Sequence, residues 1–392
     1  MATRVRSYSK INLGLAVGPP RPDGYHGLTT VYQTLALHDF VTVSARRAAE
    51  TNITLTADHL GVPCSSRGDA QKNTAYRIVA GALKKLGLAA NVSIDIEKYL
   101  PVQGGMGAGS ANAAAALLGL ERELDMVLSE NQRLELAAEV GSDVPLFLLG
   151  GTVLGLGHGE IVSSLSDLPV KPVVIAIPEV GVSTAAAFRE LDRRMLEGIP
   201  QGLKPISSPS SYGTAEAMPL TKLDADGGAE APSLQDVGPK GGTWGTQIVP
   251  ETGQALTFQQ GTDRLEMLSR ALAAIWTPSA AEHDSSGIAS RTSDLAEDQL
   301  LALVRTGIEN DFEEVVFSQH PSLRQIKREL VGSETSGRPL CAGLSGSGSA
   351  LFGLYESQAD ARAAQQRVQQ SGTRAILTET LPRDLYWSSM FL

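Results

Sequence analysis

The residues best placed to do chemistry lie in a glycine-rich run, Pro101-Val102-Gln103-Gly104-Gly105-Met106-Gly107-Ala108-Gly109-Ser110-Ala111, between a strand-like segment and an alanine-rich helix. Backbone N–H groups without a shielding Cβ can close on phosphate oxygens, and a helix N-terminus adds about half a positive charge. Ser110 offers a hydroxyl where a phosphate or its magnesium can sit. Spelling excludes two familiar loops. No lysine follows the glycines as a P-loop requires, and Ser110 stands where a dinucleotide loop needs glycine. Taken alone, the run is suggestive only, the alternative being a flexible glycine turn. A second candidate is Lys10, in Ser9-Lys10-Ile11-Asn12-Leu13. A lysine among core-facing residues is costly unless paired, so a carboxylate or phosphate is expected beside it. The competing reading is an edge lysine reaching out to water. Asp143, in Gly141-Ser142-Asp143-Val144-Pro145, sits at a helix start, where a plain N-cap is an equally ordinary role.

The elements that must hold these residues are legible in outline. Alternation predicts strands around Val41–Val43, Ile53–Leu55 and Val92–Ile96, and a continuous apolar run predicts another at Val173–Ile177. Helical spacing covers Thr74–Leu86. Ser129-Glu130-Asn131-Gln132 has the form of a capping box, and Gly141 suits the stop of the helix it opens. Leu344-Ser345-Gly346-Ser347-Gly348-Ser349 leads into an apolar Ala350-Leu351-Phe352. Ser357 and Asp360 cap a final helix, and Ala375–Leu377 reads as an edge strand. From about 203 to 296 proline, glycine, serine and aspartate dominate, which reads as a poorly ordered insertion, with helical spacing returning at Asp263–Trp276 and from Asp298.

At 392 residues the chain is long enough for two domains, and 42% hydrophobic with 19% charged residues places it among globular proteins. With 33 basic against 43 acidic side chains the net charge is −10, which disfavours nucleic acid as a partner. Two cysteines, Cys64 and Cys341, exclude a disulfide scaffold and fit a reducing compartment. No apolar stretch is long enough for a membrane span and the start carries no targeting pattern, so a cytoplasmic protein is expected.

Three separated segments (Ser9–Leu13, the glycine run and Leu344–Gly348) together resemble the three motifs of the GHMP kinases. Arg21-Pro22-Asp23-Gly24-Tyr25-His26 and Gly141–Pro145 are further similar to the branch that phosphorylates a cytidine-diphosphate-linked methylerythritol, on the non-mevalonate route to isoprenoid precursors. The resemblance covers about residues 5–195 and 297–380. It implies an α+β, two-domain GHMP kinase fold: an ATP-binding domain over 1–165 resembling ribosomal protein S5 domain 2, and a ferredoxin-like domain over 166–392 carrying the insertion at about 203–262.

The same resemblance implies ATP and Mg2+ as cofactors, small-molecule substrates, no nucleic acid or membrane partner, and a monomer or weak homodimer. Asp143 becomes the proton acceptor and Lys10 the cation beside the accepting hydroxyl. Lys98 and Pro101–Ala111 become the ATP site, with Ser110 beside the metal. Asn12, Asp23, Tyr25, His26, Thr184 and Phe188 become substrate contacts, His26 bonding the cytosine edge while Tyr25 and Phe188 stack on its faces. The loop departs from the usual Gly-Leu-Gly-Gly-Gly-Ser-Ser at Met106, Ala108 and Ala111. A methyl at Ala108 is tolerable if its φ is negative, and Ala111 lacks a second hydroxyl for a phosphate or metal. Two alternatives stay open: a GHMP kinase for homoserine, mevalonate or a sugar, and a nucleotide-binding regulator without catalysis.

Overall fold

The computed structural model describes residues 2–20, 25–102, 104–197, 309–332 and 337–392. The predicted insertion, the helical patterns at 263–276 and from 298, Arg21, Asp23 and Gln103 lie outside the described residues.

Two long strands rich in Val, Thr and aromatic residues form the spine. β1 (Thr3–Pro20) runs antiparallel to β2 (His26–Arg47), with Lys10 opposite Thr34 and Asn12 opposite Tyr32. β2 carries β1 along one edge. On its other edge it pairs with β4 (Ala90–Glu97) toward its end and with β5 (Thr152–Leu156) toward its start. β3 (Asn52–Ala57) joins β4 in parallel and β6 (Ile161–Ser164) joins β5, giving the order β3-β4-β2-β5-β6 with β1 beside β2.

Helices cover one face of this sheet. α1 (Thr74–Leu86) starts at Asn73, whose side chain accepts from Ala75 N, and stops at left-handed Gly87. α2 (Ala108–Glu123) presses on β1 and β2 through small residues; an ideal Cβ at Gly119 would lie 2.8 Å from Val43 Cγ2. α3 (Glu130–Val140) has the predicted capping box of Ser129 and Gln132. It ends at Gly141, which is extended (φ 177°) and not in the left-handed conformation usual for a glycine stop, although its N–H still reaches Ala137 O. A 3-10 turn, Pro145–Leu148, follows Asp143 directly.

A second sheet has the order β10-β7-β9-β8, from β7 (Pro172–Ile177), β8 (Cys341–Leu344), β9 (Leu351–Leu354) and β10 (Arg374–Glu379). β10 is at the edge, where the sequence puts it. α4 (Thr184–Glu197), α5 (Phe312–Gln319), α6 (Pro321–Val331) and α7 (Gln358–Gln370) accompany this sheet. β1 also serves this second part: Leu15 N bonds Glu309 O at 3.1 Å, and Val17 N donates to Asp311 Oδ2 at 2.8 Å.

α7, capped by Ser357 as expected, is not the final helix. α8 (Arg383–Ser388) follows, too short for a helical period to register in sequence. It returns to the first sheet's helices, where Tyr386 Oη donates to Phe147 O at 2.7 Å and Trp387 Nε1 to Leu149 O at 2.9 Å. The 3-10 turn just after Asp143 is therefore fastened by residues some 240 positions downstream. Tyr386→Phe leaves a buried carbonyl unpaired and is expected to cost about 1 kcal/mol, read as a lowered urea midpoint with an unchanged slope; an unchanged midpoint would contradict this fastening role.

Candidate active site

Lys10 is 3% exposed on β1, and its Nζ lies 3.2 Å from Asp143 Oδ2. The partner demanded by a buried ammonium is thus a carboxylate from the turn after α3. Nζ also donates to Asn12 Oδ1 at 2.6 Å, Asn12 Nδ2 donates to Thr30 Oγ1 at 2.8 Å, and Thr30 Oγ1 donates to Gly14 O at 2.7 Å. This chain of bonds fixes the lysine head on the sheet. Asp143 caps no helix: the 3-10 turn begins after Val144, with no side-chain cap. Its other oxygen, Oδ1, accepts from Tyr32 Oη at 3.1 Å. Burial pushes the Tyr32 phenol well above its usual range and the Asp143 carboxylate adds to the shift, so the hydroxyl keeps its proton and donates.

The glycine run lies directly against this pair. Lys10 N donates to Met106 O at 3.1 Å, tying the strand to the loop. Gly107 has φ 70°, and a Cβ there would come within 2.9 Å of Phe147 Cζ and 3.0 Å of Lys10 Cγ. Gly105 has φ 75°, and a Cβ there would overlap Ser345 O. On that side Ser345 Oγ donates to Gly105 O at 2.9 Å and Ala350 N to Gly104 O at 3.2 Å. The Ser345–Ser349 turn buttresses the loop, and Gly346 sits beside Asn12 and Lys10.

The loop also lines a cavity of about 350 Å³, formed by Gly104–Ser110 with Pro101, Val102, Lys98, Asn73 and Thr74. The N-terminus of α2 opens into it. Ala108 is helical with no positive φ, so its methyl is accommodated. Ala111 is 2% exposed and packed in the core, away from the lining, so a hydroxyl at that position would face apolar neighbours. Lys98 lines the cavity, but its ammonium is held by the buried Asp39 carboxylate, which also accepts from Tyr99 N at 2.7 Å and Leu100 N at 2.8 Å. Much of the Lys98 charge is therefore spent before any nucleotide arrives.

The aromatic residues gather elsewhere. His26 Nε2 lies 2.6 Å from Asp192 Oδ1, and its ring stacks on Phe188 with centroids 4.8 Å apart and 24° between planes. Phe188 also meets Phe312 edge-on at 4.8 Å, while Tyr25, 62% exposed, tilts against His158 at 4.7 Å. The structure thus lays Phe188 against the His26 ring, whereas the sequence reading has it stack on a base. Thr184 Oγ1 reaches Ser347 Oγ at 2.7 Å, linking the start of α4 to the buttressing turn.

Three participants escape sequence reasoning. Tyr32 alternates like any core residue of β2 and carries no separate signal. Asp39, an acid inside the apolar Leu37–Val43 stretch, carries the same signal as Lys10. Asp192 lies four residues after Phe188 on one helix face, a spacing that reports a neighbour only once the role of Phe188 is known.

Residues 73–151 match the family model described as "GHMP kinases N terminal domain", and residues 294–374 match "GHMP kinases C terminal". Curated relatives named 4-diphosphocytidyl-2-C-methyl-D-erythritol kinase include one from Solibacter usitatus, 31% identical over 354 residues, covering 90% of this chain and 81% of the relative. One from Caldicellulosiruptor bescii is 42% identical, covering 48% of this chain and 64% of the relative, and one from Nocardia farcinica is 43% identical, covering 51% and 63%. The chain thus spans a little under two thirds of the length of the last two. A crystal structure of 4-(cytidine 5'-diphospho)-2C-methyl-D-erythritol kinase superposes with TM-score 0.56 at 23% identity, covering 96% of this chain and 99% of that one. Homoserine kinase from Cytophaga hutchinsonii superposes equally well (TM-score 0.57, 16% identity, 97% and 95% covered), so these superpositions speak for the fold alone.

Gly105→Ala forces a side chain into a left-handed backbone against a fixed carbonyl. It is expected to weaken binding of an adenine nucleotide roughly 10- to 100-fold, as 1–3 kcal/mol of local strain implies, with the far-UV spectrum retained. Calorimetric titration checks this, and unaltered affinity would remove the loop from the nucleotide site.

Proposed function

Because the chain belongs to the 4-diphosphocytidyl-2-C-methyl-D-erythritol kinase family within the GHMP kinases, we propose that it transfers the ATP γ-phosphoryl group to the 2-hydroxyl of that cytidyl alcohol. The products are ADP and the 2-phosphate, a step on the non-mevalonate route to isoprenoid precursors. The observation that carries this reading is the Lys10–Asp143 contact, held against the glycine loop by the Lys10 N to Met106 O bond.

Phosphoryl transfer asks a protein for position and charge neutralisation more than for covalent chemistry. The loop N–H groups and the α2 N-terminus hold the polyphosphate. Asp143, whose side chain is 31% exposed, accepts the proton of the incoming hydroxyl. Lys10, buried and fixed by Asn12, orients that hydroxyl and stabilises the oxygen as its proton leaves. Ser110 suits a magnesium ion: its hydroxyl is a hard, neutral oxygen on the cavity lining at the first turn of α2. When bound with the phosphates, magnesium neutralises part of their charge. Among the described residues no group of three or more His, Cys, Asp or Glu could hold a metal ion.

We assign the cytidine end to His26, Tyr25 and Phe188, with Asp192 anchoring the His26 ring, and the intervening diphosphate and methylerythritol to Asn12, Asp23 and Thr184. The sheets suit an ATP-binding half over 1–165 and a second half over 166–392. Among the described residues no helix is long and apolar enough to cross a membrane.

An ADP-release assay with the cytidyl substrate, homoserine, mevalonate and galactose tests the reading. Magnesium-dependent turnover with the cytidyl alcohol alone is expected. Turnover with none would favour a binding role, and turnover with another acceptor would move the chain elsewhere in the superfamily. Asp143→Asn should lower kcat about 10²- to 10⁴-fold while ATP affinity is kept.

A further inference from the structure

We infer that Tyr32 is a positioning residue for Asp143, holding the carboxylate plane so that Oδ2 stays on Lys10 and free to meet the acceptor hydroxyl; this rests on Asp143 being the proton acceptor. The strand register dictates the placement. Lys10 and Asn12 project from one face of β1, and their cross-strand partners Thr34 and Tyr32 project from the same face of β2. Tyr32 therefore rises beside the lysine, its ring centroid 5.4 Å from Nζ, with its hydroxyl 3.1 Å from Asp143 Oδ1.

The slot around Tyr32 is cut for the hydroxyl as well as the ring. An ideal Cβ at Gly155 would lie 2.5 Å from Tyr32 Cε2, so glycine there admits the ring edge. Gly159, with φ 100°, is where a Cβ would collide with Oη, so glycine there admits the oxygen. A ring without a hydroxyl needs only the first of these. Burial at 2% exposure makes an idle hydroxyl expensive, and Asp143 is the side chain that takes its hydrogen bond.

An aspartate held at one oxygen by a lysine can still rotate about its last bond. A second donor on the other oxygen removes that freedom, and misplacement of a reacting group by about 1 Å costs on the order of 10²-fold in rate. Among the described residues Lys10 on β1 and Tyr32 on β2 face the carboxylate, and the charge of Glu160 in the β5–β6 turn acts on Tyr32. Of these Lys10 and Tyr32 bond Asp143, one to each oxygen.

The test is a double-mutant cycle on the full chain with the cytidyl substrate. Tyr32→Phe keeps the ring and should lower kcat about 5- to 50-fold, with KM for both substrates within about twofold, because positioning in the reacting complex is lost and binding is not. Introduced into Asp143→Asn, the same change should alter kcat less than about twofold, since the hydroxyl has lost its carboxylate. Full kcat in Tyr32→Phe, or equal losses in both backgrounds, overturns the inference while leaving the kinase reading intact. Full activity in Asp143→Asn overturns the inference together with the proton-acceptor role of Asp143, whereas the kinase reading is decided by the substrate assay. If Tyr32→Phe folds poorly, Gly159→Ala gives an independent reading: its Cβ displaces the hydroxyl with the ring still present, and a similar kcat loss at unchanged KM is expected. Parental kcat in folded Gly159→Ala overturns the inference.

Discussion

An ammonium group taken out of water has to be compensated, and at Lys10 that requirement organises the site. The lysine side chain is 4% exposed and the Asp143 side chain 31%, so the pair is buried on one side and open on the other. An ion pair closed on both sides would be at best a weak source of stability. This one keeps its cation in a fixed place and leaves its carboxylate accessible to a third party. The neighbouring elements serve that asymmetry. Asn12 and Thr30 anchor the cation, the extended Gly141 turns the chain from α3 toward β1, and Pro145 starts the 3-10 turn that stops Asp143 from wandering.

What could be read in advance follows from how far each signal extends along the chain. The glycine run, the lysine in an apolar strand and the Gly-Ser-Asp-Val-Pro stretch announce themselves within a few residues. So do helices with caps, such as Thr74–Leu86 and the one opened by Ser129, and strands with clean alternation. Contacts across strands do not. Tyr32 reaches Asp143 because β1, β2 and the turn after α3 converge, and nothing within β2 marks it out. Lys98 looks like a free cation in sequence because Asp39 lies 59 positions earlier. Phe188 is legible as an aromatic, but only the tertiary fold decides whether its face meets a ligand or the His26 ring. α8 is missed for a different reason, being six residues long.

The Lys10–Asp143 pair, the aromatic cluster and the glycine loop draw on residues from distant parts of the chain. β1 alone supplies the cation, the backbone tie to Met106 and the bonds to Glu309 and Asp311 beside the second sheet. A displacement of that strand would disturb the Lys10–Asp143 ion pair, the loop and the attachment of the later segment together. This is why a strand of 18 residues can be buried along most of its length and still carry polar groups at Ser9, Lys10 and Asn12: each has a partner.

The bond from Ser345 Oγ to Gly105 O joins positions 240 residues apart. During synthesis, at roughly 5–20 residues per second, the glycine turn leaves the ribosome roughly 12–48 seconds before the segment that braces it. Over that interval Gly105 has no Ser345 carbonyl beside it, while the neighbours of Gly107, Lys10 and Phe147, come from the early part of the chain. Bracing of the glycine loop is therefore a late event in the life of each new molecule, timed by the arrival of its C-terminal third.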